Sequence, residues 1–249
     1  AKSGVSKARA RVGEKPLKWL FERCAETWGH ESARRHSWRG LALYGADGTS
    51  FRVPDSPENR AAFDSRSAGP ERGLNGYPIA RGVTLMALRS HILVGAAFGG
   101  KKSELALAEG LWSKLPDASL TIVDRLYLVA SVLMGIHNSG EERHWLTRAK
   151  SLTKWEVIET LGDGDQLVEI TLHKDTRAAH PELPKQWRMR ALRYQRAGHP
   201  PQTLLTSLVD ASKYPASEVR ELYHERWEIE LGYDEVKTHM LERVETIRS

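Results

Sequence analysis

Apolar residues recur with two different periods along the chain, and each period predicts one kind of element. Helical spacing, in which apolar residues stand three or four positions apart, covers residues 1–29, 102–114 and 126–137 and the segment after Ser217. Three strands followed by alternating helices and strands predict a mixed α/β domain. The predicted strands, each a short apolar run bounded by turn residues, are 41–49, 81–88, 91–98, 119–124, 144–150, 154–160, 166–173, 187–195 and 203–209.

The same pattern divides the chain into four segments. Residues 1–37 form a helical segment whose lysines and arginines make a basic arm, which either contacts DNA or is an ordinary solvated surface. Residues 38–150 hold the first part of the core, with a loop rich in Pro, Gly, Ser and Asn over 54–76. Residues 151–200 are predicted to be a β-rich insertion, and residues 201–249 bring back a core strand and a final helix.

The final helix carries two stripes of different character. Its polar stripe has the spacing Tyr-x2-Arg-x3-Glu-x6-Lys, with Tyr223, Arg226, Glu230 and Lys237. On a helix this spacing confines the four side chains to an arc of about 60°. Apolar residues fill the neighbouring arc, and glutamates fill the far side, where we expect them to face solvent. The helix is therefore predicted to pack on a core and to present one polar stripe at its edge.

This polar stripe has two interpretations. In the simpler one it is a surface ion-pair ladder, because Arg226 and Glu230 stand four residues apart. In the functional one, a carboxylate flanked by Arg, Lys and Tyr suits a site that binds a metal ion and phosphate oxygens. The functional interpretation requires further carboxylates from other elements.

Two aspartates meet that requirement. Asp47 and Asp124 each stand at or near the end of a predicted apolar strand, where open α/β sheets usually bind ligands. If the strands are neighbours, the two carboxylates and Glu230 supply oxygen ligands for one or two Mg²⁺ ions, as in two-metal phosphoryl transfer. Taken alone, each aspartate is more simply a turn residue at a strand end. Asp163 and Asp165, in a predicted turn, are expected to face solvent.

Composition excludes several classes of protein. A single cysteine, Cys24, excludes an internal disulfide and a thiolate zinc cluster, and the ten histidines form no metal-ligand motif such as H-E-x-x-H. No apolar run has the length of a membrane span, so we expect no membrane contact and a cytoplasmic location. The net charge of +5 and the pI near 9.3 fit nucleic acid as a partner without requiring it.

Four segments of the chain resemble the DDE transposases of the insertion-sequence-four family. Residues 45–49 are similar to the family's first-aspartate turn, residues 122–125 to its second-aspartate motif, and residues 144–150 to the strand that follows. The resemblance spans about residues 41–248, and one departure is Leu126, where the family more often has a small or acidic residue. The fourth segment fills the family's Y-R-E-K signature with Tyr223, Arg226, Glu230 and Lys237.

The resemblance implies a ribonuclease-H-like mixed sheet flanked by helices, with the β-rich insertion between the second aspartate and the glutamate. It implies that Asp47, Asp124 and Glu230 are catalytic and bind Mg²⁺, with two ions when DNA is bound and Mn²⁺ as a substitute. The residues expected to bind DNA phosphates are Tyr223, Arg226, Lys237 and Arg125.

The implied activity is hydrolysis of phosphodiester bonds at transposon ends, followed by attack of the freed 3′-hydroxyl on target DNA. The expected partners are double-stranded DNA, as terminal repeats and as target, and a second copy of the protein in a dimer. The expected location is the bacterial cytoplasm, in association with the nucleoid.

Relatives in this family stack a flipped base on a tryptophan of the insertion. Trp155 and Trp187 are the candidates here, unless both are packed sheet aromatics.

Two other functions stay open: a DNA-binding module of the same fold that does not cut, and a related nuclease that cuts without joining. Because family members continue with further helices beyond the position of Ser249, we expect this chain to be a fragment of a longer protein.

Overall fold

The computed structural model describes residues 2–65, 76–100, 102–195 and 198–240. Parts of the predicted 54–76 loop and of the final helix therefore lie outside the described residues. The α-helices are α1 (Lys2–Val12), α2 (Lys15–Cys24), α3 (His30–Arg35), α4 (Pro57–Ala62), α5 (Glu104–Glu109), α6 (Ala130–Asn138), α7 (Lys174–Ala179), α8 (Ala216–Leu222) and α9 (Trp227–Glu235). The strands are β1 (Ala42–Arg52), β2 (Asp64–Ser65), β3 (Pro78–Ala87), β4 (Ile92–Gly99), β5 (Ser119–Val123), β6 (Arg143–Arg148), β7 (Glu156–Gly162), β8 (Asp165–Thr171), β9 (Gln186–Tyr194) and β10 (Gln202–Thr206).

Within the described ranges these strands form one mixed sheet in the order β2-β3-β1-β5-β6-β10-β9-β8-β7, and β4 pairs with β3. β3 is antiparallel to both β1 and β4, whereas β1, β5 and β6 run parallel to one another. The order β4-β3-β1-β5-β6 is the ribonuclease-H-like arrangement, and the predicted α/β fold with a mixed sheet flanked by helices is confirmed.

Helices cover both faces of this sheet because alternate residues of each strand point to opposite sides. The adjacent residues Leu43 and Tyr44 of β1 belong to different hydrophobic clusters. The cluster of Tyr44 includes residues of α5 and α6, and the cluster of Leu43 includes residues of α8 and α9. The sheet therefore supports α9, which carries Glu230, on one face. The predicted final helix is not uninterrupted, since Tyr223–Arg226 before α9 is a 3₁₀ segment and Val236–Met240 after it is a π-helical segment.

The strands of residues 151–200 continue the core sheet. β9 pairs with β10, and β10 pairs with β6. A buried ion pair links β8 and β9: Arg190 on β9 donates to both carboxylate oxygens of Asp165 at 2.7 and 2.5 Å. The expectation that Asp165 faces solvent is wrong, because its carboxylate points inward to this guanidinium and only 4% of the residue is exposed. The division into segments by function stays a prediction.

Two short helices in the described residues were not predicted. α4 falls in the Pro-rich stretch, where Ser56 caps the helix by accepting from the Asn59 N–H and Pro57 takes the first turn. α7 follows β8 and begins after His173. No helix in the described part of the chain combines the length and the hydropathy of a membrane span.

Candidate active site

Asp47 lies inside β1 and not at its end. β1 continues because its antiparallel partner β3 keeps pairing with it, so that Asp47 stands opposite Thr84. The parallel partner β5 stops earlier, at Val123, which pairs with Ala46. Asp47 is therefore the first residue of β1 beyond the end of β5. The alternative in which Asp47 is a turn residue at a strand end is wrong, since Asp47 and Gly48 both belong to the strand.

Asp124 is the corresponding residue of β5. It follows the strand directly and begins a short 3₁₀ segment, where its Oδ1 accepts a hydrogen bond from the Arg125 backbone N–H at 2.6 Å. Because the last register pair of β1 and β5 comes just before them, Asp47 and Asp124 are the next residues on two neighbouring strands. Neighbouring strands are spaced by about 4.8 Å. The prediction that the two strands are neighbours is confirmed.

Glu230 comes from α9, which packs on the same sheet. Ile229 and Tyr233 are buried, so the predicted apolar stripe of this helix is confirmed. Glu230 Oε1 accepts from Arg226 Nη2 at 2.7 Å, and the Arg226 side chain is only 15% exposed. The ion pair of the simpler interpretation is thus present, and one of its partners is largely withdrawn from water.

The far side of this helix is held by the turn between β3 and β4. Arg89 donates to the two carboxylate oxygens of Glu225 at 2.9 and 2.6 Å. His91 lies 2.8 Å from a carboxylate oxygen of Glu228 and 3.3 Å from one of Glu235. The expectation of a purely solvated far side is wrong for these three glutamates, because the turn reaches across the helix.

The environment of Asp47 is negative. Burial raises the pKa of Asp47 to about 6. The Gly48 N–H, which donates to Asp47 Oδ1 at 2.8 Å, and the Arg226 guanidinium oppose this rise, while the carboxylates of Glu104 and Glu230 add to it. These mutual effects place Glu230 and Glu104 near Asp47. A cation that binds beside such a carboxylate stabilises its charged form.

Glu104 is a carboxylate near Asp47 that the sequence reasoning missed. It opens α5 directly after the N-cap Ser103, and a first-turn glutamate is an ordinary feature of helices. In the fold its carboxylate lies against Gly48, where a Cβ would stand 2.3 Å from Glu104 Oε2. Burial raises the pKa of Tyr127, and the charges of Glu104 and Asp47 add to the rise. No local signal in the sequence distinguishes Glu104 from other helix starts.

Two clefts adjoin the three predicted catalytic residues. The larger one, of about 720 Å³, contains Asp47 and Glu230, and the smaller one, of about 210 Å³, contains Asp124. The larger cleft is also lined by Arg52, Tyr77, Tyr233, Asp234 and Lys237. The smaller cleft is also lined by Arg148, Tyr194, His199, Tyr223, His224, Arg226 and Trp227.

The predicted phosphate-binding residues are distributed over these clefts and one more. Lys237 Nζ lies 6.0 Å from the ring centroids of both Phe51 and Tyr233. Burial raises the pKa of the Tyr223 hydroxyl, which keeps it protonated at neutral pH. Arg125 lines a third cleft, of about 330 Å³, together with Trp155. The predicted set therefore follows the edge of the sheet rather than one pocket.

The donor set fits a hard divalent cation in its chemistry, since carboxylate oxygens are the ligands that Mg²⁺ prefers. Across the described ranges, however, no group of three or more His, Cys, Asp or Glu residues is assembled as a metal site. Glu230 is instead paired with Arg226, and Asp47 and Asp124 each accept a backbone N–H bond. The metal-binding role of the three residues stays a prediction.

The two tryptophans proposed for base stacking have different surroundings. Trp187 is 8% exposed and packs against Trp145 with ring centroids 5.4 Å apart. Trp155 is partly exposed and borders two clefts near Arg125 and Arg193. The packing favours Trp155, because Trp187 would have to leave the core to reach a base.

The sequence of this chain is similar to the sequences of known transposases. Residues 38–248 match the family model described as Transposase DDE domain. The chain is 38% identical over 250 residues to the Transposase InsG for insertion sequence element IS4 of Escherichia coli (strain K12), covering 100% of this chain and 56% of that protein. It is 39% identical over 160 residues to the Putative transposase InsZ of the same organism, covering 64% of this chain and 53% of that protein. The chain thus spans about half the length of these relatives.

The fold of this chain also superposes in part on a solved transposase structure. The piggyBac transposase in a synaptic complex with hairpin DNA matches with a TM-score of 0.46 and 8% sequence identity. The match covers 84% of this chain and 42% of that chain.

Proposed function

Because this chain belongs to the transposase DDE domain family, we propose that it is the catalytic domain of a transposase that cuts and joins DNA. In this proposal it binds transposon-end DNA, hydrolyses phosphodiester bonds and joins the 3′-hydroxyl ends to target DNA. One observation supports the proposal above the others. The strand register sets Asp47 beside Asp124, and Glu230 lies close enough to influence the pKa of Asp47.

The three carboxylates are proposed as the catalytic residues and as the ligands of Mg²⁺, with two ions when DNA is bound and Mn²⁺ as a substitute. Such ions activate the attacking oxygen and stabilise the leaving oxygen when they are bound. The chain's contribution is to hold the three residues at rigid elements: Asp47 on a strand, Asp124 directly after the neighbouring strand, and Glu230 on a packed helix. Sites built on such elements keep their geometry better than sites on loops.

The cationic and phenolic groups around the clefts are proposed to hold DNA phosphates. Arg226 is already restrained by Glu230, so less side-chain freedom is lost when it binds a phosphate. Tyr223 stays protonated and is able to donate a hydrogen bond. Lys237 and Arg125 extend the positive surface to the larger and the third cleft.

The proposal includes the partners and the location. Target DNA and terminal repeats are the substrates, a homodimer assembles on them, and Trp155 stacks on a base displaced from the DNA end. The protein acts in the bacterial cytoplasm at the nucleoid. These statements concern the whole protein, and the chain covers about half the length of its relatives.

The test is cleavage of a duplex carrying the terminal repeats that flank the protein's own gene. With full-length protein and Mg²⁺, we expect nicked or excised ends and, on added target DNA, a joined product. Glu230→Gln is expected to lower the rate at least about a thousandfold, because one metal ligand and its charge are lost. Glu228→Gln is the matched control, since that residue lies on the same helix and contacts His91 instead.

Each alternative has its own result. Sequence-specific binding without cleavage identifies a DNA-binding module, and cleavage without a joined product identifies a nuclease. Equal cleavage by the Glu230→Gln and Glu228→Gln variants contradicts the catalytic role of Glu230.

A further inference from the structure

Tyr233 connects the helix of Glu230 to the strand of Asp47. Its hydroxyl donates to the backbone carbonyl oxygen of Asp47 at 2.5 Å. The same hydroxyl lies 2.8 Å from Thr84 Oγ1. A carbonyl only accepts, so the phenol proton goes to Asp47, and Thr84 must donate to the phenol oxygen. The result is a chain of two hydrogen bonds from β3 through α9 to β1.

These two linked hydrogen bonds are buried, and they run in one direction from β3 to β1. Tyr233 is 8% exposed and Thr84 is 4% exposed. A tyrosine hydroxyl is protonated in the physiological pH range, so Tyr233 remains a donor. Linked hydrogen bonds in a low-dielectric interior polarise one another and restrain their partners more than isolated ones.

The position of Tyr233 on α9 makes this contact relevant to Glu230. The two residues are three positions apart, one turn of the helix, and both line the larger cleft with Asp47. The preceding residue, Gly232, lets the helix approach the sheet closely, since a Cβ there would stand 2.4 Å from the Met86 methyl carbon. The helix is thus held against β1 and β3 directly beside the two carboxylates.

We propose that Tyr233 is a positioning residue, whose hydroxyl fixes the placement of Glu230 relative to Asp47 through the main chain of Asp47. This inference rests on the proposed function, because it concerns the geometry of the same site. The hydroxyl itself touches a backbone atom and takes no part in bond breaking. A displacement of about 1 Å at such a site is able to cost about a hundredfold in rate.

The test is Tyr233→Phe, which removes the hydroxyl and keeps the ring. Single-turnover cleavage is expected to slow about tenfold to a hundredfold, while the Kd for the terminal-repeat duplex stays within about twofold. Tyr44→Phe is the matched control, because it also removes a buried tyrosine hydrogen bond, 2.8 Å to His30 on the far face of the sheet. Thr84→Val removes only the first donor and is expected to have an intermediate effect.

A second readout is independent of cleavage. The Gly48 amide belongs to the peptide group whose carbonyl accepts from Tyr233, so its ¹H–¹⁵N resonance is expected to shift in Tyr233→Phe and to stay unchanged in Tyr44→Phe. On titration with Mn²⁺ in the absence of DNA, broadening of this resonance is expected to require several-fold more Mn²⁺ in Tyr233→Phe than in the wild type.

The outcomes separate this inference from the proposed function. If the wild type does not cleave but the Gly48 shift and the weaker Mn²⁺ response both appear, the positioning role stands and the transposase activity does not. If Tyr233→Phe matches Tyr44→Phe in rate and in Mn²⁺ response, or if the Gly48 resonance does not move, the positioning role is overturned.

Discussion

Two aspartates on strands of the same sheet, the buried Asp165 and the half-buried Asp47, have opposite electrostatic surroundings. Asp165 meets the fully buried guanidinium of Arg190 with both carboxylate oxygens, and Arg190 also donates to the backbone of Leu208 and Tyr214. Asp47 accepts one backbone N–H and has the carboxylates of Glu104 and Glu230 for neighbours. The charge of Asp165 is therefore balanced by its partners, whereas the charge of Asp47 is poorly compensated.

This difference separates a structural role from a functional one. A buried charge with a full set of partners joins elements, here β8 and β9 to the loop before α8. A half-buried charge beside like charges destabilises the native state, and such residues concentrate where a ligand supplies the missing compensation. Substitutions at these residues test the contrast.

Removing one partner of the satisfied pair is expected to have the largest effect. Asp165→Ala leaves Arg190 buried without its counter-charge, so the free energy of unfolding should fall by about 3–5 kcal/mol in urea denaturation. The double variant Asp165→Leu with Arg190→Met is the control and should recover most of that loss, because no charge remains buried. A loss below about 1 kcal/mol in the single variant would show that the pair is not what holds this junction.

Removing the charge of Asp47, which is poorly compensated, is expected to raise the free energy of unfolding and not to lower it. Burial raises the pKa of Asp47 from 3.8 to about 6, so the native state binds this proton more tightly than the unfolded chain does. The native state therefore loses stability as pH rises through this window, and the loss is complete above it. Asp47→Asn should raise the free energy of unfolding by about 2 kcal/mol at pH 8, while abolishing cleavage.

The pH dependence is the control for this second prediction. Below pH 3.8 both states of the wild type carry a protonated Asp47, so the advantage of Asp47→Asn should disappear there. A variant that is equally stabilised at both ends of the range would point to a packing effect instead of a charge effect.

The smallest effect is expected at His91, which is more exposed than either aspartate. Burial lowers the pKa of His91, but hydrogen bonds to Glu228 and Glu235 raise it by more. Its contribution to stability is therefore complete below the unfolded pKa and is lost as pH rises through the folded one. His91→Asn, which suits the left-handed backbone at φ 54, should cost about 0.5 kcal/mol at low pH and less at pH 8.5. A cost that does not change with pH would contradict the ionic role.

The parts of the site that could be predicted rest on local patterns. The apolar spacing around Glu230 fixes which face of α9 packs on the sheet, and the apolar run before Asp124 fixes the end of a strand. The predicted uninterrupted helix is wrong, because Tyr223 and Arg226 lie in a 3₁₀ segment and Lys237 lies in a π-helical segment. Both patterns depend only on residues within a few positions of one another, which is why the burial of Ile229 and Tyr233 and the end of the strand before Asp124 were predicted correctly.

The parts that were missed depend on pairings that no local pattern contains. β1 passes beyond Asp47 because β3, more than thirty residues later in the chain, continues to pair with it. Asp165 is buried because Arg190 lies across the β8–β9 pair, 25 residues away. Glu104 reaches Asp47 only after α5 packs against the sheet. In each case a tertiary contact overrides the structure that the local sequence pattern predicts.

The outer edge of the sheet has a consequence for handling the protein in concentrated solution. β7 is the last strand in the described order, and β8 is the strand that pairs with it there. Val157 and Ile158 on β7 are 51% and 46% exposed. An unpaired edge with β-branched residues is a template on which strands of other molecules add and aggregate. The charges of Glu156 and Glu159 oppose such addition, so solubility depends on two edge residues that contribute nothing to the core.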